Sequence, residues 1–315
     1  MVTFGFTSAS PCMEQFQYAQ IHMGVRVRIV LYAPDESTAM RACEAAFNRI
    51  AQLEDIMSDY RPSSELMQLY ARAGGPPVKV SDDLFFVLQY AQALSKRTNG
   101  AFDVTVGPYV QLWRQARKTG RLPSTEALQS ARKLVGWWKM RLNSEAKTVQ
   151  LLVPGMQLDL GGIAKGYILD CALATLKKHG IASALIEAGG DIVVGDAPPG
   201  ERGWRIEIAN ASPDKRMVIL ANSAISSSGD VEQYVEFNGK RYSHIVDPRT
   251  GLGLTTRIAV TVIAPNGITS DSLATALCVL GEEEGMKLIR SIPGVRAYIR
   301  KASEMPSHRS STESQ

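Results

Sequence analysis

The chain has 315 residues, a formal charge of +4, 45% apolar residues and 21% charged residues. That length admits two domains or one large one with a sizeable core, and the composition argues against wholesale disorder. The charge is too mild for the concentrated basic stripe of a nucleic-acid binder. No run approaches the roughly eighteen apolar residues of a transmembrane helix, so none is expected.

Residues 1–20 hold neither a basic n-region nor a clean apolar stretch, so no secretory signal is expected and the chain as encoded reads as cytoplasmic. Ser8-Ala9-Ser10-Pro11-Cys12 lacks the apolar segment that precedes a lipoprotein cleavage site, and Met13 serves as well as Met1 for a start. This first segment is expected to be poorly ordered. The serine-rich 303–315 stretch is expected to be a disordered tail. One folded domain, with room for two intimately packed subdomains, is expected over 21–302. Cys12, Cys43, Cys171 and Cys278 are scattered without a Cys-x-x-Cys pair, which indicates neither a zinc site nor a disulfide framework. The last three sit in apolar, helix-like stretches and are expected to pack as small reduced hydrophobes.

In chain order, alternation predicts a half-buried strand at 25–32, ended by Pro34-Asp35. Met40, Cys43, Phe47, Ile50, Leu53 and Met57 recur at three or four residues, the apolar face of a long helix. Residues 84–97 form a second predicted helix, stopped by Asn99-Gly100, and 125–134 a third behind Pro123-Ser124. Strands are predicted at 148–153, 157–160, 184–187, 192–195, 204–208 and 217–220. Residues 233–237 and 240–246 flank Asn238-Gly239, a strong type I′ hairpin signal. A strand at 258–264 closes on Pro265-Asn266-Gly267. Helices are predicted at 165–179, 270–280 and 282–291, with a last strand at 295–299. This order is neither regular βαβ alternation nor all-β. It reads as α+β, with antiparallel sheets packed by segregated helices.

Four segments gather glycine with polar residues. In 98–108 a helix end meets tight turns and the carboxylate of Asp103; taken alone, a helix C-cap with a turn is the better reading of it. In 158–167 a predicted strand runs through Gly161-Gly162 into a helix beginning near Lys165. Free N–H groups, a helix N-terminus and a lysine make an anion site, although the segment is neither a P-loop nor a dinucleotide fingerprint and a bare strand–helix connection is as good a reading. In the third, Ser226-Ser227-Ser228-Gly229-Asp230 precedes 241–251, where His244 sits at a strand end before Asp247, Arg249 and Thr250. A structural histidine and a functional one are balanced there. In the fourth, Asp271 and Thr275 are four apart near a helix start and share a face. Two oxygen side chains so placed suit a hard cation such as Mg²⁺; the competing reading makes Ser270 or Asp271 an N-cap.

Together these segments resemble the ApbE-type FAD:protein FMN transferases, a family matched from about His22 to Leu280. The pieces run in family order: Met23-Gly24, Met57-Ser58-Asp59-Tyr60 with Ser64-Glu65-Leu66, and Gly100-Ala101-Phe102-Asp103 with Thr105-Val106-Gly107-Pro108. Then come Asp159-Leu160-Gly161-Gly162-Ile163-Ala164-Lys165-Gly166-Tyr167, Gly189-Gly190-Asp191, Ser228-Gly229-Asp230, 244–251 and Asp271-Ser272-Leu273-Ala274-Thr275-Ala276. Each piece is modest alone; their order is specific. Val25 stands where family members often carry threonine, which removes a hydroxyl at that point.

The resemblance implies an α+β fold that binds FAD in a long cleft, uses Mg²⁺ and moves the FMN half of FAD onto a threonine or serine hydroxyl of an acceptor protein, releasing AMP. The acceptor it suggests is a subunit of a membrane redox complex. It implies that Met23, Tyr60, Ala101, Phe102 and Asp103 line the FAD site, with Lys165 and Tyr167 near phosphates or adenine and Ile245 on the flavin side. It also implies a metal held by the Ala164 carbonyl, Asp271 and Thr275. Phosphoryl transfer needs anionic phosphates neutralised and a hydroxyl proton removed. His244 suits the proton, and Asp271 serves the metal and influences the proton. Two alternatives remain at this level: Mg²⁺-dependent FAD hydrolysis to FMN and AMP, and a non-catalytic flavin-binding protein.

Overall fold

The computed structural model describes residues 13–208, 216–229 and 234–301. Strands β1 (Glu14–His22) and β2 (Val25–Ala33) form a hairpin, followed by α1 (Glu36–Met57), α2 (Glu65–Tyr70), β3 (Val78–Lys79) and α3 (Asp82–Arg97). Next come α4 (Gly107–Thr119), α5 (Thr125–Arg132), β4 (Met140–Asn143), β5 (Thr148–Leu151), α6 (Ala164–Lys178), β6 (Ala184–Ala188) and β7 (Asp191–Val194). The remainder is β8 (Trp204–Glu207), β9 (Met217–Leu220), β10 (Ser223–Gly229), β11 (Tyr234–Phe237), β12 (Lys240–Ser243), β13 (Ile258–Ala264), α7 (Gly267–Arg290) and β14 (Arg296–Lys301).

A seven-stranded sheet in the order β1-β2-β6-β7-β10-β13-β14 organises the chain, and every neighbouring pair in it is antiparallel. Alternation along the strands sends side chains to two different cores. On one face Val27, Ile29, Leu31, Ile186, Val193, Val260 and Val262 pack with α1, α6 and α7. On the other, Val30, Leu185, Val194, Ile225 and Ile263 pack with Trp204, Ile206 and Leu220 of the β8–β9 hairpin. The long helices therefore sit together on one face, the segregated α+β arrangement expected from the sequence. A third cluster, around Tyr109, Trp113, Val135, Val235 and Val246, joins α4 to the β11–β12 region.

Local chemistry accounts for the elements. Asp35 caps α1 by accepting the Thr38 N–H, and Ser64, Ser81 and Ser124 do the same for α2, α3 and α5. Cys43 and Cys278 are buried and Cys171 half-buried; Cys12 lies outside the described residues. The break expected between two C-terminal helices falls at Gly281, whose φ of 75° interrupts α7.

Several expectations need correction. The 14–20 stretch, expected to be poorly ordered, is paired residue for residue with β2 over the full length of β1. An edge strand needs only one pairing partner, and β1 is largely exposed, so it lacks the apolar signature of a buried strand. Residues 157–160 form no strand; Leu158 and Leu160 are buried in an irregular connection whose Asp159 N–H bonds the Val104 carbonyl at 2.7 Å. Met40 is 54% exposed and leaves the buried face of α1. The helix α4 and strand β10 were unforeseen. The disordered tail expected at 303–315, together with Asp230 and Gln233, lies outside the described residues. Among the described residues no helix is long and apolar enough to cross a membrane.

Candidate active site

One end of the large sheet gathers the glycine-rich turns. The β1–β2 turn holds Met23, at φ 52°, and Gly24. The β6–β7 turn at Gly189-Gly190 lies beside it, and a Cβ on Gly189 would stand 3.2 Å from Val25 Cγ1. Beyond the β7 pairing, β10 runs out to Ser228 and Gly229, opposite Val260 and Ala259. The N-terminal ends of α6 and α7 meet over this edge.

The crossing of α6 and α7 is unusually close because both helices present glycine. A Cβ on Gly166 would sit 2.1 Å from the Gly267 carbonyl oxygen and 2.8 Å from Asp271 Cβ. The gap lets the Gly166 N–H donate to Asp271 Oδ2 at 2.9 Å. Asp170, one turn further along α6, accepts the first N–H groups of α7, from Gly267 at 2.6 Å and Ile268 at 2.9 Å. That pair satisfies donors every helix start leaves open. Asp271 is 3% exposed. Burial pushes its carboxyl well above the usual carboxylate range, and the neighbouring Asp191 adds to the rise; Lys165 and the Gly166 N–H oppose it.

Lys165 Nζ stands 2.6 Å from Asp191 Oδ2 and 3.4 Å from the Gly189 carbonyl. One helical turn beyond Asp271, Thr275 Oγ1 lies 3.5 Å from Ser228 Oγ. A Cβ on Gly162 would come within 2.7 Å of Thr275 Oγ1, so the turn before Ala164 rests directly on Thr275. Ala164 and Lys165 at the start of α6 thus share one corner with Asp271 and Thr275 of α7, a pair far from them in sequence. Among the described residues no three His, Cys, Asp or Glu side chains converge as a metal site. The candidate set offers one carboxylate, one hydroxyl and one backbone carbonyl. Those oxygen donors fit a hard cation, and a cation there would offset the cost of an ionised, buried Asp271.

The other predicted residues are placed less uniformly. Ala101, Phe102 and Asp103 are buried. Asp103 accepts N–H and hydroxyl bonds from Thr105 at 2.8 and 2.7 Å, and its other oxygen accepts the Trp137 N–H at 2.8 Å. Its carboxylate thereby ties the Val104–Val106 turn to the loop before β4. Tyr167 points its hydroxyl to Asp83 at 2.6 Å, beside Phe86 of α3. Ile245 is buried in the main core. His244 is half-buried, just after β12 and ahead of the Val246–Gly253 bridge. Tyr60 is 74% exposed.

Sequence reasoning missed α4, which connects these loops. Trp113 donates its indole N–H to the Gly251 carbonyl at 2.8 Å, which holds the loop after His244. Arg114 bonds Asp59 at 2.5 Å and Asp159 at 3.1 Å. The signal was present: Pro108 at the first turn, apolar residues at 109, 113 and 116, and a left-handed Gly120 stop. Reading Gly107-Pro108 as the close of a turn concealed it. Two surface clefts run along Leu112–Ala127 and between Trp113 and Thr256; neither is lined by Asp271 or Lys165, and the polar corner is the better candidate on chemistry.

A profile of the ApbE family matches residues 23–299. The FAD:protein FMN transferase of Treponema pallidum (strain Nichols) is 32% identical over 304 residues, covering 90% of this chain and 84% of that protein. The enzyme of the same name from Vibrio cholerae is 37% identical over 244 residues, covering 75% and 72%. The crystal structure of the flavinyl transferase ApbE from Pseudomonas stutzeri superposes with a TM-score of 0.81 at 30% identity, covering 90% of each chain. The Thermotoga maritima ApbE protein gives 0.81 at 28% identity, covering 92% and 95%. Fold and sequence agree on the class, an enzyme of flavin-transferase architecture. The chain belongs to the ApbE family.

Proposed function

We propose that this chain transfers the FMN moiety of FAD to a threonine or serine hydroxyl of an acceptor protein, releasing AMP, in a Mg²⁺-dependent reaction. The observation that carries the reading is the corner where Asp271, Thr275, Ala164 and Lys165 come together under the glycine turns. The names of the relatives, FAD:protein FMN transferase, support the substrate and the group transferred.

In this reading the acceptor hydroxyl oxygen forms a bond to the phosphorus of the FMN half. The bond from that phosphorus to the bridging oxygen breaks, and AMP leaves with the electron pair. His244 takes the hydroxyl proton as general base. Asp271, Thr275 and the Ala164 carbonyl hold Mg²⁺, which supplies charge neutralisation at the phosphates when bound. Lys165 and the N–H groups at the start of α6 add fixed positive potential on the same side. Met23, Tyr60 and the 101–103 and 245 segments form the walls that receive FAD. Tyr167, held by Asp83, lends α6 a fixed aromatic side chain.

The test is mass spectrometry of the purified chain mixed with FAD and Mg²⁺, with and without a threonine-bearing acceptor from a flavin-dependent membrane redox complex. An acceptor heavier by one FMN, with AMP released, is expected. FMN and AMP formed equally with and without acceptor would instead establish a hydrolase, and unchanged FAD a binding protein. His244→Ala is expected to slow transfer by about 100-fold and to leave FAD bound; unchanged turnover would remove His244 from the mechanism.

A further inference from the structure

Tyr60 is largely exposed, yet its ring is held: the Arg114 guanidinium carbon lies 4.6 Å from the ring centroid, a cation–π contact. The same guanidinium closes a clamp on two carboxylates, with Nη1 2.5 Å from Asp59 Oδ2 and Nη2 3.1 Å from Asp159 Oδ2. The three side chains of the clamp are only 20%, 16% and 13% exposed. Asp59 precedes Tyr60 directly. Asp159 accepts the Gly161 N–H at 2.9 Å, and the next residue, Gly162, abuts Thr275. One side chain from α4 therefore joins the aromatic corner of the site to the glycine turn beside the candidate metal ligands.

The geometry uses what distinguishes arginine. A planar fork serves two carboxylates in its plane while its face stacks on a ring; a lysine ammonium is a point charge without a face. With both carboxylates engaged, Arg114 is not a spare cation waiting for a phosphate. We propose that Arg114 is a positioning residue of the FAD site, fixing the Tyr60 ring and the 159–162 turn relative to each other. This rests on the FAD reading above. With Arg114 in place, Tyr60 presents its ring to a planar group of the substrate in one orientation, and FAD binding does not have to order it.

The test is titration of the full chain with FAD in the presence of Mg²⁺, followed by flavin fluorescence, and steady-state transfer on the same variants. Arg114→Lys is expected to raise Kd and KM for FAD by about ten-fold, the scale of ordering a freed side chain on binding, with kcat reduced far less. In a Tyr60→Ala background the same change is expected to weaken FAD binding by less than about two-fold, since residues acting through one another are non-additive. Asp59→Asn, which leaves Arg114 in place but loosens its hold, is the second variant if Arg114→Lys melts early. It should raise KM for FAD by about three-fold, and that effect should also vanish without Tyr60. Unchanged FAD affinity in a folded Arg114→Lys or Asp59→Asn chain overturns the proposal, as does an effect that persists undiminished without Tyr60. Failure of the wild-type chain to bind FAD overturns the underlying reading as well.

Discussion

Gly166→Ala isolates the helix crossing on which the site depends. The new Cβ would lie 2.1 Å from the Gly267 carbonyl oxygen, and bringing that contact out to even 3.0 Å requires α6 and α7 to part by about 0.9 Å locally. Both clashing groups sit on backbone or on Cβ, so no rotamer change relieves them. Alanine in a helix interior gains about 1 kcal/mol over glycine, and overpacking a close interface costs about 3 kcal/mol. The net expectation is a loss of about 2 kcal/mol. The same separation stretches the 2.9 Å bond from the Gly166 N–H to Asp271 and moves Asp271 relative to Ala164. Mg²⁺-dependent turnover should therefore fall by more than about ten-fold even under conditions where the variant is folded. Urea unfolding gives the stability and a Mg²⁺ titration of FMN transfer gives the site effect. Gly285→Ala is the comparison, because its Cβ would meet the movable end of Leu277 instead of backbone, and it should be close to neutral. A Gly166→Ala chain as stable as wild type, with an unchanged Mg²⁺ requirement, would refute the close-crossing account.

Burial pushes Asp170 from 3.8 up to about 6, with the N–H groups of Gly267 and Ile268 opposing the rise. A carboxyl raised on folding contributes stability at low pH that is lost as pH rises through the folded value. The stability difference between wild type and Asp170→Asn should thus be larger at pH 4 than at pH 8; a pH-independent difference in urea midpoints would contradict this. Lys165→Met leaves Asp191, 3% exposed at its side chain, without its ion-pair partner and should cost about 3 kcal/mol in urea unfolding. Lys165→Met with Asp191→Asn should recover most of that loss, and no recovery would show that Lys165 matters for another reason. Thr275→Val should raise the Mg²⁺ concentration for half-maximal transfer by about ten-fold and Thr275→Ser should restore it; equal Mg²⁺ curves for all three would exclude the hydroxyl from the cation site.

What the sequence determined by itself was local and periodic. The 3.6-residue spacing of Cys43, Phe47, Ile50 and Leu53 specifies α1, Asn238-Gly239 specifies the β11–β12 turn, and the glycine-rich segments in their order disclose the family. These signals survive in one dimension because caps, turns and amphipathic faces are satisfied by neighbours in the chain. The tertiary structure decided the rest. Strand β1 carries little apolar signal because it lies at a sheet edge, and it becomes a strand by pairing with β2. The 157–160 run alternates because Leu158 and Leu160 are buried between polar neighbours, and its backbone bonds to Val104 instead of a strand. Asp103, placed in the FAD site by the resemblance, also ties two loops together through bonds from Thr105 and Trp137, which only packing of the loops brings to it. Arg114 belongs to none of the motif segments, and its importance arises because α4 carries it between Asp59 and Asp159, residues 100 positions apart in sequence. Charge pairing and helix crossings are distances in space, and sequence spacing does not encode them until the sheet has set where each turn ends.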